Sequence, residues 1–369
     1  MARSPIARTI GDFARATGLS AKALRRYDEL GLLRPDRVDP YTGYRYYADT
    51  QTERARLIAW LRRIGMPLAD VGRVCALYAD DPAAAAREIR AYWASVEADT
   101  AARRGLAASL VERVKGTTTD MTTNGPTPYV FEGTALLDRG LVRELQQDAA
   151  HASPRLLAVA DGYGPEGERA ARAAVEAVAA VPAPVRAGDG LDALEDAVRA
   201  AGRAVVGLDG SGTTLTAALL AGGRLVVAHL GDSRAYLLRD GRLRQLTRDD
   251  TVVQALVDAG GLEPEEAAER PDRAVLLKAL SGGEGASAPA LGVHEVRPGD
   301  RVLLCTDGLS ALASPAELAG TFAAVGGAGA ADALRELALS LGAPDNLALA
   351  TAEVTPAGAI DTLSRTSAP

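Results

Sequence analysis

Leu156-Leu-Ala-Val-Ala-Asp-Gly162 is a short apolar run that ends in an acidic residue and a glycine. An apolar run of this length, bounded by a turn signal, is typical of a buried β-strand. The pattern returns in Arg301-Val-Leu-Leu-Cys305, which leads to Asp307-Gly308, and in Leu347–Ala352, which follows Asp345-Asn346. The sequence therefore predicts several buried strands that carry aspartates at their ends.

Five aspartates share this position at the end of an apolar segment: Asp148, Asp161, Asp232, Asp307 and Asp345. A single aspartate of this kind is more often a turn former. Strands that pair in a sheet bring their ends together, however, and five clustered carboxylates repel unless cations neutralise them. Oxygen ligands in a chain with only 3 histidines favour Mg²⁺ or Mn²⁺ over zinc.

The stretch between residues 214 and 247 predicts an antiparallel meander, because Gly222-Gly223 and Asp240-Gly241 are strong hairpin signals. Glu166–Ala180 has the periodicity of a helix. Strands and helices therefore mix within this half of the chain, which indicates an α+β domain.

Residues 134–354 resemble the metal-dependent serine/threonine protein phosphatases of type 2C, also called the PPM type. The matching stretches follow the family's order: Gly140–Arg143, Gln147-Asp148, Ala158–Gly162, Gly212–Leu215, Ala228–Tyr236, Leu246–Thr251, Leu256–Gly260, Leu304–Ser310 and Gly342–Asn346. The resemblance implies that residues 132–356 form a four-layer α-β-β-α sandwich.

The resemblance also implies hydrolysis of phosphoserine and phosphothreonine through a metal-bridged water, with two Mn²⁺ or Mg²⁺ ions and a weaker third. By position, the metal ligands would be Asp148, Asp161 with the carbonyl of Gly162, Asp307 and Asp345, and Asp232 would belong to the third site. Arg143 would bind the substrate phosphate, for which its planar fork is suited. Asp148 would also hold a catalytic metal-bound water.

Three features depart from the family pattern. Gln146 stands where asparagine is usual, Gln147 replaces an acid seen in many members, and the turn after Asp161 reads Tyr163-Gly-Pro165. The main alternative is therefore a catalytically silent domain that senses a ligand or phosphoprotein. A phosphocysteine mechanism is excluded, since neither Cys75 nor Cys305 begins a Cys-x₅-Arg loop.

Nucleotide binding is a weaker alternative. Gly162-x-Gly164-x-x-Gly167 has the spacing of a dinucleotide-binding turn. Asp161, however, would place a carboxylate against the pyrophosphate, and no acid-ended strand follows about 20 residues later. The chain also has no Gly-x₄-Gly-Lys-Ser/Thr loop.

Charge is distributed unevenly over the 369 residues, whose formal net charge is -7. Residues 1–115 carry 20 Lys and Arg against 14 Asp and Glu, whereas the rest carry 21 against 34. A basic head on an acidic body indicates that the head is the part that meets polyanions.

The head has the pattern of a helix-turn-helix followed by a wing. Gly18 can end a first helix and Ser20 can cap a second, which is expected to expose Lys22, Arg25, Arg26 and Tyr27 to DNA. Arg37–Tyr47 predicts a two-stranded wing around Pro40-Tyr-Thr-Gly43, with Tyr44 and Arg45 just beyond its turn.

These motifs resemble the MerR (mercury-resistance regulator) family of transcription factors, over Thr9–Ala14, Thr17–Ser20, Leu24–Pro35, Gly43–Tyr46 and Leu61–Leu68. The resemblance implies an all-α winged helix-turn-helix at 8–78 that binds double-stranded promoter DNA, and a coiled-coil helix at 81–115 that forms a homodimer. Its DNA-binding residues would include Ser20, Lys22, Arg25, Arg26, Tyr27, Tyr44 and Arg45. A flexible linker is expected at 116–131 and a disordered tail at 357–369.

The chain is therefore interpreted as a multidomain transcription regulator that carries a phosphatase domain. A phosphatase whose head only dimerises it is disfavoured by the basic second helix. The 2 cysteines, the lack of a long apolar run and the lack of a signal-peptide pattern predict a cytoplasmic protein without a membrane segment.

Overall fold

The computed structural model describes residues 7–114, 129–182, 185, 189–258, 262, 266, 270, 272–283 and 287–357. These form two compact units, one within residues 1–97 and 253–273 and the other within 98–252 and 274–369. The division differs from the boundary predicted in the linker, since it falls inside an unbroken helix. Within the described residues, no helix combines the length and the hydropathy that crossing a bilayer requires.

The first unit begins with β1 (Ala7–Thr9), α1 (Ile10–Thr17), α2 (Ala21–Glu29), β2 (Arg37–Val38) and β3 (Arg45–Ala48). Gly18 ends α1 at a φ of 73°, where glycine is favoured, and the Ser20 hydroxyl accepts from the Ala23 N–H to begin α2. The strands form one sheet in the order β1-β3-β2. This sheet corrects the expectation of an all-α head, and its β2–β3 pair lies within Arg37–Tyr47, the stretch for which a two-stranded wing is predicted.

The helices α3 (Thr52–Arg63), α4 (Leu68–Asp80) and α5 (Pro82–Val114) follow. Asp81 precedes α5, and its carboxylate accepts from the Ala84 N–H, as an N-cap does. At ~1.5 Å per residue the 33 residues of α5 span roughly 50 Å. The helix thus occupies nearly the range predicted for the dimerisation segment, 81–115.

The second unit contains the strands β4 (Tyr129–Asp138), β5 (Asp148–Ala152) and β6 (Leu156–Tyr163), then the helices α6 (Gly167–Ala179) and α7 (Gly190–Val205). Residues 129–131 correct the predicted linker, because they pair with Val354–Pro356 and Phe131 is buried. Residues 116–128 of that linker and 358–369 of the predicted tail lie outside the described residues.

A meander of β7 (Gly212–Thr213), β8 (Leu215–Ala221), β9 (Arg224–Leu230), β10 (Arg234–Arg239) and β11 (Arg242–Gln245) follows. Gly222 and Gly223 have positive φ at the β8–β9 turn, and Asp240 and Gly241 at the β10–β11 turn. This backbone geometry belongs to tight hairpins that match the twist of the strands.

Next along the chain is α8 (Val252–Asp258), nearly all of which belongs to the first unit. The remaining elements of the second unit are β12 (Leu280–Ser281), β13 (Ala290–Glu295), β14 (Arg301–Cys305), α9 (Asp307–Ser310), α10 (Pro315–Ala324), α11 (Gly329–Ser340) and β15 (Leu347–Pro356). One sheet has the order β11-β10-β14-β15-β4, and the other runs β12-β7-β6-β8-β9-β13 with β5 paired to β6. An apolar core lies between the sheets, α6 and α7 cover one of them, and α9 to α11 cover the other. The unit is therefore a four-layer α-β-β-α sandwich.

Candidate metal centre

Asp148 and Asp161 lie directly opposite each other on the paired strands β5 and β6. Thr214 fixes the end of β6, because its hydroxyl accepts from the Asp161 N–H at 3.0 Å and its N–H donates to the Asp161 carbonyl at 2.9 Å. Side chains opposite each other in an antiparallel pair lie on the same face of the sheet. Two carboxylates therefore face the inside of the sandwich at one end of this sheet.

The other sheet contributes Asp307, at the start of α9 after β14, and Asp345, just before β15. Asn346 holds this region against the preceding loop. Its Nδ2 donates to the carbonyls of Arg139 and Leu145, and its Oδ1 accepts from the Gln147 N–H at 2.8 Å. The loop that carries Arg143 is thereby tied to the start of β15.

These residues surround one cavity of about 460 Å³. Its lining combines acidic, amide and hydroxyl groups with one guanidinium and a few apolar side chains: Arg143, Gln147, Asp161, Gly162, Tyr163, Gly164, Thr214, Asp232, Ala274, Leu276, Asp307, Asp345 and Asn346. Asp148 adjoins this set as the register partner of Asp161. The structure thus brings all five strand-end aspartates, Gly162 and Arg143 to one place.

Burial makes the charged form of these carboxylates costly. It raises the pKa of Asp148 to about 7, with the charges of Asp307 and Asp345 adding to the effect. Burial also raises the pKa of Asp232 to about 7, and the pKa of Asp161 lies well above its ordinary value for the same reason, helped by Asp148. The cluster is therefore an environment that favours bound cations.

The carboxylates of Asp148 and Asp345 accept hydrogen bonds from side chains of other elements. Thr306 Oγ1 donates to Asp148 Oδ2 at 2.8 Å, and Arg143 Nη2 donates to Asp345 Oδ2 at 2.7 Å. Among the described residues, no three His, Cys, Asp or Glu side chains are gathered tightly enough to hold a metal ion as they stand. Ion binding would therefore require these side chains to turn toward each other.

The residues present nevertheless fit a divalent cation. The donors are carboxylates and one carbonyl, which suit hard ions such as Mg²⁺ and Mn²⁺. Main-chain atoms pack closely around Gly162. A Cβ added there would lie 2.2 Å from the Gly167 carbonyl oxygen and 2.5 Å from that of Gln147. Glycine at this position therefore allows the end of β6 to pack against the main chain of Gln147 and Gly167.

Thr214, Thr306 and Asn346 were not identified as site residues from the sequence. Each lies within a stretch that resembles the phosphatase family, but an isolated threonine or asparagine has no pattern that predicts a buried hydrogen bond. The only signal available was position, since Thr306 and Asn346 each adjoin a strand-end aspartate.

The predicted DNA-binding residues occupy two kinds of position in the first unit. Lys22, Arg25 and Arg26 are exposed on α2, Ser20 caps that helix, and Tyr44 is 59% exposed. Their exposure leaves these side chains accessible to a polyanion.

The prediction that Tyr27 contacts DNA is wrong, because only 6% of its surface is exposed and it packs in the apolar core beside Leu24. Residues three apart share a helix face, and that face is the buried one. Arg45 is half-buried, and its Nε donates to Asp28 at 2.7 Å, so it links the wing to α2.

Comparisons with known proteins give two family matches. A sequence model described as MerR HTH family regulatory protein matches residues 8–77, and one described as protein phosphatase 2C matches residues 133–341. The serine/threonine protein phosphatase PstP of Mycobacterium tuberculosis is 45% identical over 234 residues, which are 61% of this chain. The aligned part is 45% of that protein, so the chain spans less than half the length of this relative.

Two solved structures of proteins named PstP are similar to this chain over part of its length. A crystal structure of PstP from M. tuberculosis has a TM-score of 0.58 at 45% identity, covering 61% of this chain and 98% of that one. A catalytic domain of PstP in complex with two manganese ions has a TM-score of 0.57 at 43% identity, covering 62% and 99%.

Proposed function

We propose that this chain, which belongs to the protein phosphatase 2C family, hydrolyses phosphoserine and phosphothreonine in proteins with Mn²⁺ or Mg²⁺ as cofactor. The observation that carries the proposal is the single cavity around which Asp161, Asp232, Asp307 and Asp345 lie with Arg143. A metal-dependent phosphatase needs both kinds of group, because the carboxylates bind the cations and the guanidinium attracts the phosphate dianion.

Asp148, Asp161, the Gly162 carbonyl, Asp307 and Asp345 would hold two ions, and Asp232 would serve a third. Bound ions of this kind supply a water of lowered pKa and neutralise the charge that develops on the phosphoryl group. The similar PstP catalytic domain in complex with two manganese ions supports the number and the kind of ion. Asp148, held by Thr306, would orient that water.

Arg143 is the residue proposed to hold the substrate phosphate. Its guanidinium is 55% exposed at the cavity and its partner there is Asp345. A phosphate oxygen would replace Asp345 at the guanidinium, which would free that carboxylate for an ion. The side chain of Arg143 would then both bind the substrate phosphate and release the Asp345 carboxylate to coordinate an ion.

We further propose that the chain is a DNA-binding transcription regulator that dimerises through α5. The MerR family match at 8–77 and the exposed Lys22, Arg25 and Arg26 on α2 support the DNA-binding part. The length of α5 supports the dimer, since 33 residues can offer a long antiparallel contact to a second copy.

Hydrolysis of p-nitrophenyl phosphate and of a phosphothreonine peptide with Mn²⁺ tests the enzymatic proposal. Asp307→Asn should lower kcat by at least about a hundredfold, because it removes a charge from the proposed ion site. Asp240→Asn is the matched control, since Asp240 lies at an exposed turn and pairs with Arg297. Wild type that stays inactive with either ion would favour the silent sensor instead.

A further inference from the structure

We infer that the free edge of β5 binds the polypeptide that flanks a phosphorylated residue, as an added β-strand. The inference rests on the proposed phosphatase function and specifies how a protein substrate is held at that site. An extended peptide can pair with an exposed sheet edge through main-chain hydrogen bonds, while grooves beside the edge select its side chains.

The main chain of β5 has one side without a neighbouring strand. Within the described part of the chain, β5 pairs only with β6. Asp161 of β6 exchanges hydrogen bonds with Thr214 on the side away from β5. Because main-chain groups alternate in direction along a strand, the register then turns the N–H and C=O of Ala150 and Ala152 outward.

A groove of about 490 Å³ lies along this edge. The helix α6 supplies one wall with Glu168, Arg172 and Glu176, and β4 supplies Leu137, which is 48% exposed. His151 of β5 also lines it. A peptide strand at the edge would therefore have charged groups on one side and an apolar contact on the other.

The groove opens beside the carboxylate cavity. Gln146 and Asp148 line the groove, whereas Gln147, which lies between them in the chain, lines the cavity. At roughly 3.3 Å per residue, Ala152 lies about 13 Å along the strand from Asp148. If the phosphorylated residue of a substrate lay in the cavity, the substrate residues about two to five positions away from it would thus lie along the edge of β5.

The charges of the groove favour a basic flank. Glu168 and Glu176 oppose the single Arg172, whose Nε lies 3.9 Å from Glu176. Two carboxylates against one guanidinium leave a net negative wall at neutral pH. A lysine or arginine in the flanking segment would complement it.

The test uses fluorescein-labelled phosphothreonine peptides with eight flanking residues that include lysine, methylated at one main-chain nitrogen at a time. We measure kcat/KM with Mn²⁺, and binding to full-length Asp307→Asn by fluorescence anisotropy. Methylation at alternate positions should weaken both by about fivefold each, since each removes one main-chain hydrogen bond. Losses with a period of two residues are the expected signature of strand pairing.

Protein variants test the wall of the groove. Glu176→Lys should lower kcat/KM for the lysine-containing peptide about tenfold and leave p-nitrophenyl phosphate hydrolysis unchanged. The matched control is Glu195→Lys, because Glu195 forms the same kind of helical pair with Arg199 on α7. It should change neither substrate.

The outcomes separate the two proposals. The edge-strand inference is overturned if methylation changes neither hydrolysis nor binding at any position. It is also overturned if the losses in both measurements show no alternation along the peptide. Failure of wild type to hydrolyse p-nitrophenyl phosphate overturns the proposed function, and the anisotropy series then still decides whether the edge binds peptide.

Discussion

Thr306 lies between Asp148 and the main chain of β15. Its hydroxyl donates to Asp148 Oδ2 at 2.8 Å and accepts from the Ala348 N–H at 2.9 Å. Both Thr306 and Asp148 are buried, and they come from different sheets. One hydroxyl group therefore connects a proposed metal ligand of one sheet to the backbone of the other.

Replacing Thr306 with valine should lower the free energy of unfolding by about 2 kcal/mol, because it leaves a buried N–H and a buried carboxyl group without their partner. Urea denaturation of the full chain in EDTA at pH 8 measures this. Thr351→Val is the matched control on β15, since the Thr351 hydroxyl is buried without a hydrogen-bond partner among the described residues. That change should be neutral or stabilising, and equal losses in both variants would contradict the role of Thr306.

Arg143→Lys should lower kcat/KM for p-nitrophenyl phosphate about tenfold to a hundredfold, because lysine keeps the charge but loses the planar fork. Steady-state kinetics with saturating Mn²⁺ measure the change. Arg139→Lys serves for comparison, since Arg139 lies in the same loop and donates to the Glu144 carbonyl. Similar losses in both variants would mean that the loop, not the phosphate contact, had been disturbed.

Acid should destabilise the second unit through His294. Burial lowers the pKa of His294 to about 4, with Arg244 adding to the effect. In the unfolded chain the imidazole titrates near ~6.5, so below that pH the unfolded state binds a proton that the folded state excludes. The stability contributed by the neutral, buried His294 is thus fully present above pH ~6.5, and this contribution falls by up to about 3 kcal/mol as the pH approaches the folded pKa.

His294→Leu should remove the His294 contribution to this pH dependence, since both ring nitrogens of His294 are buried without hydrogen-bond partners in the described structure. Lowering the pH from 8 to 5 should therefore cost the variant less stability than it costs the wild type. Urea midpoints at pH 8 and pH 5 provide the measurement. His229 is also buried, but Thr216 Oγ1 lies 2.9 Å from its Nδ1 and the Arg248 carbonyl oxygen 3.0 Å from its Nε2. His229→Leu should therefore destabilise at both pH values, and an unchanged slope in His294→Leu would refute the assignment.

Arg25→Ala should weaken binding to duplex DNA and reduce the slope of log affinity against log salt by about 0.9, as expected for one lost phosphate contact. Anisotropy of a labelled duplex over a salt series measures both quantities. Tyr27→Phe should leave affinity and slope unchanged, because the Tyr27 ring is buried. An effect of Tyr27→Phe as large as that of Arg25→Ala would indicate that the helix face is wrongly assigned.

The strand-end aspartates could be predicted because they combine two strong signals, a buried apolar run and an acidic residue beyond it. Asp161 and Asp307 follow that pattern, Asp345 has the reverse one because it precedes its apolar run, and the structure gathers all three at one cavity. The direction of individual side chains could not be predicted as well. Tyr27 was expected to face DNA, yet its spacing of three from Leu24 already favoured the core.

Short features that depend on residues far apart in the chain could not be predicted from the sequence either. The strand β1 has only three residues, and it exists because it pairs with Tyr46–Ala48 far along the chain. Likewise, the ion pair between Arg143 and Asp345 joins residues 202 positions apart. Neither arises from a local pattern, so the fold had to be known before either could be described.

The cavity draws Asp148 and Asp161 from one sheet and Asp307 and Asp345 from the other. The separation between the two pairs is consequently set by the thickness of the interior layer, where Ala218, Ala348 and Ala350 are fully buried. Because alanine side chains are small, they allow the two sheets to approach closely, and this spacing sets the distance between the two pairs of aspartates. A bulkier side chain at any of them would change the geometry offered to an ion without touching the ion itself.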